Sequence, residues 1–322
     1  MRILITGGAG FLGQRLARYL LADAALEQLV LADIVLPAAG GESDERVKTV
    51  QADLTDAAAA NDLITPDLTA VFHLAAVVSG QAEAAFDLGV RVNCDGTRHL
   101  LEAVRHRAPG AKFIFASSLA VFGGDLPALI TPQTAVMPQS SYGTQKAICE
   151  LWVNDYSRKG FLDGRVLRLP TVCVRPGKPN AAASSFASSI IREPVQGEAA
   201  VCPVDVSLGL WLSSPGVVTA NLAHGLALPA GAFGNTRTLN LPGITVTVQG
   251  MIDALGDVVG QAAVDLIEYA PDDAVSRIVA SWPSRFEVES AIALGFSRDD
   301  SFASIIQAFV AESMGTKPGE FS

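Results

Sequence analysis

The sequence has few cysteines, few basic residues and no long apolar run. Its four cysteines stand far apart, with no Cys-x-x-Cys pair and no histidine at metal-ligand spacing, so neither a disulfide framework nor a metal site is expected. No apolar stretch is long enough to cross a bilayer, and the first apolar run is far shorter than that of a secretory signal. These absences predict a cytoplasmic protein with reduced thiols and no membrane partner.

Basic residues are outnumbered by acidic ones. Lys and Arg number 23 against 33 Asp and Glu, which gives a net charge of −10 at pH 7. Because an acidic surface repels phosphate backbones, a nucleic-acid partner is not expected. With 322 residues, the chain is long enough to bury one large sheet and to supply a smaller substrate-binding portion as well.

The first two-thirds of the chain alternates short apolar runs with longer amphipathic stretches. This alternation is typical of repeated strand-helix-strand units, and it predicts an α/β fold with a Rossmann-type, doubly wound parallel sheet. The predicted strands are Arg2–Thr6, Gln28–Ala32, Val47–Gln51, Ala70–Leu74, Lys112–Ala116 and Arg165–Leu169.

The composition changes near residue 170, where Pro, Gly, Ala and Ser become frequent and the apolar periodicity becomes intermittent. We therefore expect residues 1–170 to form the domain that contains the sheet and residues 171–315 to form a substrate-binding portion partly interleaved with the sheet. Later helices are predicted over Thr247–Val259 and Asp300–Ser313. The polar segment 316–322 is expected to be a disordered tail.

Three glycines follow the first predicted strand and open the first predicted helix. Gly7, Gly10 and Gly13 allow the backbone to turn sharply and to bring its amides against a pyrophosphate at a helix N-terminus. Asp33 stands 20 residues after Gly13, at the end of the second strand, where a carboxylate can accept hydrogen bonds from an adenosine ribose. The same carboxylate repels a 2′-phosphate, so the sequence predicts NAD rather than NADP.

Two later segments extend the predicted dinucleotide site. Asp53 follows the third strand, where it can meet the adenine amino group, and small residues follow His73 at the end of the fourth strand. His73 itself is interpreted as a buried core histidine rather than a catalytic one. The predicted cofactor-binding residues are Gly7, Gly10, Phe11, Leu12, Gly13, Asp33, Asp53, Leu54, Leu74, Ala75, Ala76, Tyr142, Lys146 and Pro170.

A tyrosine, a lysine and a serine form the candidate catalytic set. Tyr142 and Lys146 are four residues apart, which on a helix places both side chains on one face. A free tyrosine has a pKa of about 10, but a neighbouring ammonium favours the phenolate and brings it into the range of a working base. Ser118 ends the fifth strand, at the sheet edge where ligands of open α/β sheets bind. We expect Ser118 to hold a hydroxyl whose proton Tyr142 takes or gives.

Four motifs together resemble the extended short-chain dehydrogenase/reductases, the NAD-dependent epimerase/dehydratase family. The motifs are Thr6–Gly13, His73–Ala76, Ala116–Gly123 and Tyr142–Lys146. The resemblance implies an NAD-dependent oxidoreductase in which Ser118, Tyr142 and Lys146 are catalytic. It adds Asn93, at the position that supports a proton-relay water or the geometry of the active-site helix.

The resemblance also implies a homodimer. Members of the family commonly pair through two helices, which in this chain span roughly Val92–Arg107 and Thr144–Lys159. We therefore expect a four-helix contact between two copies of the chain.

Two departures from the family patterns narrow the reaction. Dehydratases of the family carry an acidic pair after the catalytic hydroxyl, whereas Leu119 and Ala120 follow Ser118. Sugar-nucleotide enzymes carry an asparagine and a Gly-Pro turn after the sixth strand, and both are replaced in Arg168–Arg175. Elimination of water and a nucleotide-sugar substrate are therefore disfavoured.

The stretch after the sixth strand supplies candidate substrate contacts. Its cations and hydroxyls suit a small polyhydroxylated anion, because Arg175 or Lys178 can pair with a carboxylate. A polar loop with two solvated cations is the competing interpretation. The predicted substrate-binding residues are Ser118, Tyr142, Thr171, Arg175, Asn180 and Ser184.

Together with Cys202–Val204 and Leu210–Pro215, this stretch resembles the branch of the family known as D-erythronate dehydrogenases. The branch implies oxidation of a four-carbon sugar acid at C2, which gives 2-dehydro-D-erythronate. Three alternatives stay open: an epimerase that keeps its NAD bound, a dehydrogenase acting on an L-threonine-type substrate, and a non-catalytic NAD-binding regulator.

Overall fold

Apolar runs in the first half of the chain form parallel strands of one sheet, as their alternation with helices predicts. The computed structural model describes residues 1–38, 44–177 and 181–313, and within them this sheet has seven strands and is accompanied by two smaller sheets. The strands are β1 (Arg2–Thr6), β2 (Gln28–Asp33), β3 (Val47–Gln51), β4 (Ala70–His73), β5 (Lys112–Ser118), β6 (Asp163–Leu169), β7 (Thr171–Val172), β8 (Ala200–Cys202), β9 (Gly209–Ser213), β10 (Thr238–Asn240), β11 (Ile244–Thr247) and β12 (Ile267–Tyr269).

The large sheet has the strand order β10-β6-β5-β4-β1-β2-β3, and every neighbouring pair is parallel. The chain order reverses between β1 and β4, and ligands of such sheets bind outside the carboxyl ends of the strands at this switch point. The doubly wound fold and its six predicted strands are confirmed. β10 was not predicted, because three residues carry no legible pattern, and the proposed division at residue 170 stays a prediction.

The described part of the chain has thirteen α-helices, of which some pack on the two faces of the large sheet and others lie in the later part of the chain. They are α1 (Phe11–Leu21), α2 (Ala57–Asp62), α3 (Ser79–Ala84), α4 (Phe86–Gly89), α5 (Gly96–Arg107), α6 (Ser141–Arg158), α7 (Ser185–Val195), α8 (Pro215–Ala227), α9 (Val248–Val259), α10 (Gln261–Val264), α11 (Asp273–Ala280), α12 (Glu289–Ala293) and α13 (Phe302–Ser313). A π-helical turn over Val90–Asp95 precedes α5, and 3₁₀ turns cover Leu119–Val121 and Ala230–Phe233. None of the helices in the described ranges is both long and apolar enough to span a bilayer.

The two faces of the sheet bury separate apolar cores. Leu16 of α1 and Leu222 of α8 pack with Ile5 on one face. Leu100 of α5 and Val153 of α6 pack with other strand residues on the opposite face. Burial of each such side chain contributes about 1.5–3 kcal/mol, so the helices that carry the site are anchored on both sides of the sheet.

A third core lies in the later part of the chain. Ile190 of α7, Met251 of α9 and Ile306 of α13 are buried together in it. β9 joins β7, which directly follows β6, to β11 in a three-stranded sheet. This arrangement fixes the start of the predicted substrate-binding stretch beside the carboxyl end of β6.

Candidate active site

The glycine turn after β1 is closely packed against neighbouring backbone. Gly7 has a φ of +74°, which favours glycine, and a Cβ on it would lie 2.7 Å from the Ala75 nitrogen. A Cβ on Gly13 would lie 2.2 Å from the Gly7 carbonyl oxygen. Gly10 caps the N-terminus of α1 without a side-chain hydrogen bond, so nothing bulky covers the first amides of that helix. This cradle fits a dinucleotide phosphate, which a helix N-terminus binds through backbone amides.

Asp33 supports this turn through its carboxylate. Its Oδ2 accepts from the Ala9 backbone N–H at 3.0 Å, and its Oδ1 accepts from the Ile34 N–H at 2.7 Å. Asp53 accepts from the Thr55 N–H at 2.9 Å. The contacts of Asp33 with a ribose and of Asp53 with an adenine stay predictions.

A cleft of about 370 Å³ opens at the carboxyl ends of the large sheet. Its lining is Gly7, Gly10, Phe11, Leu12, Gly13, Leu74, Ala76, Val78, Ser79, Ala116, Ser117, Ser118, Leu119, Tyr142, Lys146, Leu169, Pro170, Thr171, Val172, Arg175, Ala182, Ser184 and Trp282. Most of the predicted cofactor-binding and substrate-binding residues therefore meet in one place. The exceptions are Asp33, Asp53, Leu54 and Ala75, which are outside the lining, and Asn180, which lies outside the described residues.

The predicted catalytic set converges from β5 and α6. Ser118 is the last residue of β5, and its Oγ accepts from the Ala120 backbone N–H at 3.1 Å. Ser140 caps α6 by accepting from the Gly143 N–H, which places Tyr142 in the first turn of the helix. Tyr142 and Ser118 both line the cleft, and the Ser118 side chain acts to lower the pKa of Tyr142. The Lys146 ammonium, one turn further on, donates to the Ala116 carbonyl oxygen at 2.8 Å.

The electrostatics of this set differ from the expectation. Burial raises the pKa of Tyr142 to about 12, and only the hydrogen bond with Ser118 works in the opposite direction. Lys146 does not lower it, because its ammonium is directed at Ala116 and lies 5.7 Å from the Tyr142 ring centroid. Burial also lowers the pKa of Lys146 to about 8, although the nearby Glu150 carboxylate opposes the change.

Asn93 does not line the cleft. It lies in the π-helical turn before α5 and is 2% exposed. Its Oδ1 accepts from the Val77 backbone N–H at 2.8 Å, while its Nδ2 donates to the Val77 carbonyl oxygen and to the Gln145 Oε1. Asn93 thus joins the segment after β4 to the residue beside Lys146.

Two guanidinium groups lie close together at the other end of the cleft. Arg175 lines the cleft, and the buried Arg192 donates to the Arg175 carbonyl oxygen at 2.8 Å. Burial lowers the pKa of Arg175, and the charge of Arg192 lowers it further. Arg192 is paired with Glu193 at 2.6 Å. This end of the cleft is therefore suited to an anionic group.

Sequence reasoning missed several lining residues, of which Ser79, Ser117 and Trp282 carry polar hydrogens; that of Ser117 is already donated to Glu150. Ser79 accepts from the Ala183 backbone N–H at 3.0 Å and keeps its own hydroxyl hydrogen to donate. Its place just after β4 was a signal that could have been used. The buried Nε1 of Trp282 has no hydrogen-bond partner among the described residues. Trp282 is remote in sequence from every motif, so no local pattern pointed to it.

Comparisons with known proteins agree with this geometry. A family model described as the NAD dependent epimerase/dehydratase family matches residues 3–209. The chain is 52% identical to the D-erythronate dehydrogenase of Haemophilus influenzae, over 98% of this chain and 100% of that protein. It is also 52% identical to the D-erythronate dehydrogenase of Cupriavidus necator, over 97% of this chain and 98% of the relative.

A solved structure extends the comparison to three dimensions. The nucleoside-diphosphate-sugar epimerase from Agrobacterium tumefaciens matches with a TM-score of 0.93 and 42% identity, over 98% of this chain and 95% of that one. The family match spans more than half of the chain, and the relatives cover nearly all of it. The chain therefore belongs to the NAD dependent epimerase/dehydratase family.

Proposed function

We propose that this protein is an NAD-dependent dehydrogenase that oxidises D-erythronate at C2 to 2-dehydro-D-erythronate. The observation that carries the proposal is the presence, in one cleft, of Ser118, Tyr142 and Lys146 together with the cationic Arg175. The two relatives at 52% identity, each named D-erythronate dehydrogenase, support the choice of substrate.

The glycine turn and the N-terminus of α1 would hold the pyrophosphate of NAD. Asp33 would bond the adenosine ribose, and Lys146 would donate to the nicotinamide ribose. NAD supplies the hydride acceptor of the reaction. The reaction also requires the transfer of one proton, which side chains of the protein would carry out.

Ser118 would position the secondary hydroxyl of the substrate by hydrogen bonding at its oxygen. Tyr142, as phenolate, would then take the proton of that hydroxyl as its carbon gives up hydride. Burial disfavours the phenolate in this site, and the interaction with Ser118 works in the opposite direction.

The substrate carboxylate would pair with Arg175. An Arg–carboxylate pair in a half-buried site is short and directional, and Arg192, which is itself paired with Glu193, holds the Arg175 backbone through its carbonyl oxygen. Ser79 and Ser184 line the same end and would bond hydroxyls. The two guanidinium groups disfavour L-threonine, whose ammonium group they would repel.

NADH absorbance tests the proposal directly. The purified protein is mixed with NAD and, separately, with D-erythronate, L-threonate, L-threonine and UDP-sugars. We expect NADH to accumulate with D-erythronate and to be slow or absent with the others. NADH formation with L-threonine alone would overturn the proposed substrate. No NADH formation with any of the compounds, together with NAD that stays bound through purification, would favour the epimerase.

We also propose that the enzyme is a cytoplasmic homodimer. Apolar side chains at Phe86, Ile148 and Leu151, on α4 and α6, are 60%, 37% and 64% exposed. Such a surface supports pairing of two copies through these helices. Sedimentation of the wild type and of Leu151→Glu tests the dimer, which the variant should dissociate at micromolar concentration, and cell fractionation tests the location.

A further inference from the structure

Four buried polar residues form a continuous chain between the glycine turn and the catalytic helix. The Thr6 hydroxyl lies 2.7 Å from His73 Nδ1, and His73 Nε2 lies 2.8 Å from the Thr97 hydroxyl. Thr97 in turn lies 2.6 Å from the Asn93 carbonyl oxygen. Thr6, His73 and Thr97 are each 1% exposed and Asn93 is 2% exposed, so water does not compete for these bonds.

The direction of each bond follows from its acceptor. The Asn93 carbonyl can only accept, so the Thr97 hydroxyl donates to it and has no hydrogen left for His73. The hydrogen between His73 and Thr97 must therefore come from Nε2. A histidine that is neutral and protonated at Nε2 has an acceptor at Nδ1, so the Thr6 hydroxyl donates to His73.

We propose that Thr6, His73, Thr97 and Asn93 form a directed hydrogen-bond relay that locks His73 as its Nε2-protonated tautomer and couples the cofactor turn to the catalytic helix. His73 is a positioning residue, because it is buried and does not itself line the cleft. Burial and the charge of Lys146 lower the pKa of His73 to about 3, which agrees with a neutral ring.

The two ends of the relay explain what it couples. Thr6 immediately precedes Gly7, and the Ala75 backbone N–H points to its hydroxyl at 3.5 Å. At the other end, the Asn93 side chain bonds Val77 and Gln145, the residue before Lys146. A displacement of Thr6 or of Asn93 therefore alters a hydrogen bond in the chain that holds the other residue in place.

The first test is the tautomer itself, measured on the wild-type protein. The ¹⁵N shifts of the His73 imidazole are recorded between pH 5 and 8 and assigned with a His73→Gln sample. We expect one protonated nitrogen, Nε2, and no titration over this range. A proton on Nδ1, or a ring that titrates near its ordinary pKa, would overturn the proposal.

The second test uses the isosteric variants Thr6→Val and Thr97→Val and the double variant. Each should weaken NAD binding and lower kcat by roughly 2- to 12-fold, as expected for one lost hydrogen bond. Thr97→Val is the more informative variant: Thr97 is remote from the glycine turn, and yet its substitution should raise the Kd for NAD. The double variant should lose less than the product of the two single losses.

A matched control is available in α8. Thr219 is 3% exposed and donates to the Pro215 carbonyl oxygen at 2.7 Å, the same bond to the preceding turn that Thr97 makes. Thr219→Val should leave the Kd for NAD unchanged. If Thr97→Val also leaves it unchanged, or if the Thr6 and Thr97 losses simply multiply, the coupling is refuted. NAD binding needs no sugar acid, so this result is independent of the proposed substrate.

Discussion

The end of the cleft expected to hold the dinucleotide is built from glycines and backbone, whereas the other end is built from side chains. Gly7, Gly10 and Gly13 lie within one turn of sequence and shape the first end. Ser79, Arg175 and Trp282 reach the second end from three separate segments of the described chain. A binding site formed by backbone needs open space and the correct turn conformation. A binding site formed by side chains needs suitable charges on side chains long enough to contact the ligand.

Tyr142 lines the cleft together with residues of both ends. Its replacement should therefore lower the rate of the reaction without weakening NAD binding. Tyr142→Phe keeps the ring and removes the base, and kcat should fall by about 10²- to 10⁴-fold. Fluorescence titration should find the Kd for NAD unchanged within about twofold. Turnover equal to that of the wild type would remove Tyr142 from the reaction.

The pH dependence of kcat/KM tests the role of Tyr142 without a mutation. The pKa of Tyr142 is raised to about 12, so the phenolate fraction, and with it kcat/KM, should rise at most tenfold per pH unit from pH 6 to 8. Above about pH 8, Lys146 loses its charge, because its pKa is lowered to that value. Its proposed hydrogen bond to the nicotinamide ribose then loses its charge assistance, so the rise should flatten. A profile that is flat between pH 6 and 7.5 would contradict this assignment.

Arg175→Met should affect the substrate end alone. The loss of a charge-assisted bond to a carboxylate should raise the KM for D-erythronate roughly 10- to 100-fold and leave the Kd for NAD unchanged. Arg158→Met, at an exposed arginine paired with Asp155, is the control and should change neither constant. An equal loss of NAD affinity in Arg175→Met would mean that the two ends are not separable.

The difference between the end built from backbone and the end built from side chains also explains how much of the site could be predicted from the sequence. The glycine turn, the strand ends and the Tyr142–Lys146 spacing are local patterns, and the structure has the strands where those patterns placed them. Trp282 reaches the cleft only through tertiary packing, which no window of sequence records. The pKa of Tyr142 depends on burial and on the direction of the Lys146 ammonium, neither of which follows from a four-residue spacing.

Asp33→Asn is the mildest change at the dinucleotide end. The Asp33 carboxylate uses one oxygen for the Ala9 N–H and the other for the Ile34 N–H, whereas an amide has only one accepting oxygen. One hydrogen bond to a backbone N–H is lost, so the KM for NAD should rise roughly 2- to 12-fold. The charge that repels a 2′-phosphate is lost as well, so the preference for NAD over NADP should shrink.

The ratio of the two cofactors is the sharper measurement, because a merely loosened turn would weaken both equally. Asp205→Asn is the control: Asp205 also accepts from two donors, the N–H and the hydroxyl of Ser207, but neither donor belongs to the glycine turn. The control should keep both KM values. If Asp33→Asn weakens NAD and NADP by the same factor, then Asp33 acts only by holding the turn, and the dinucleotide end selects its cofactor by backbone shape alone.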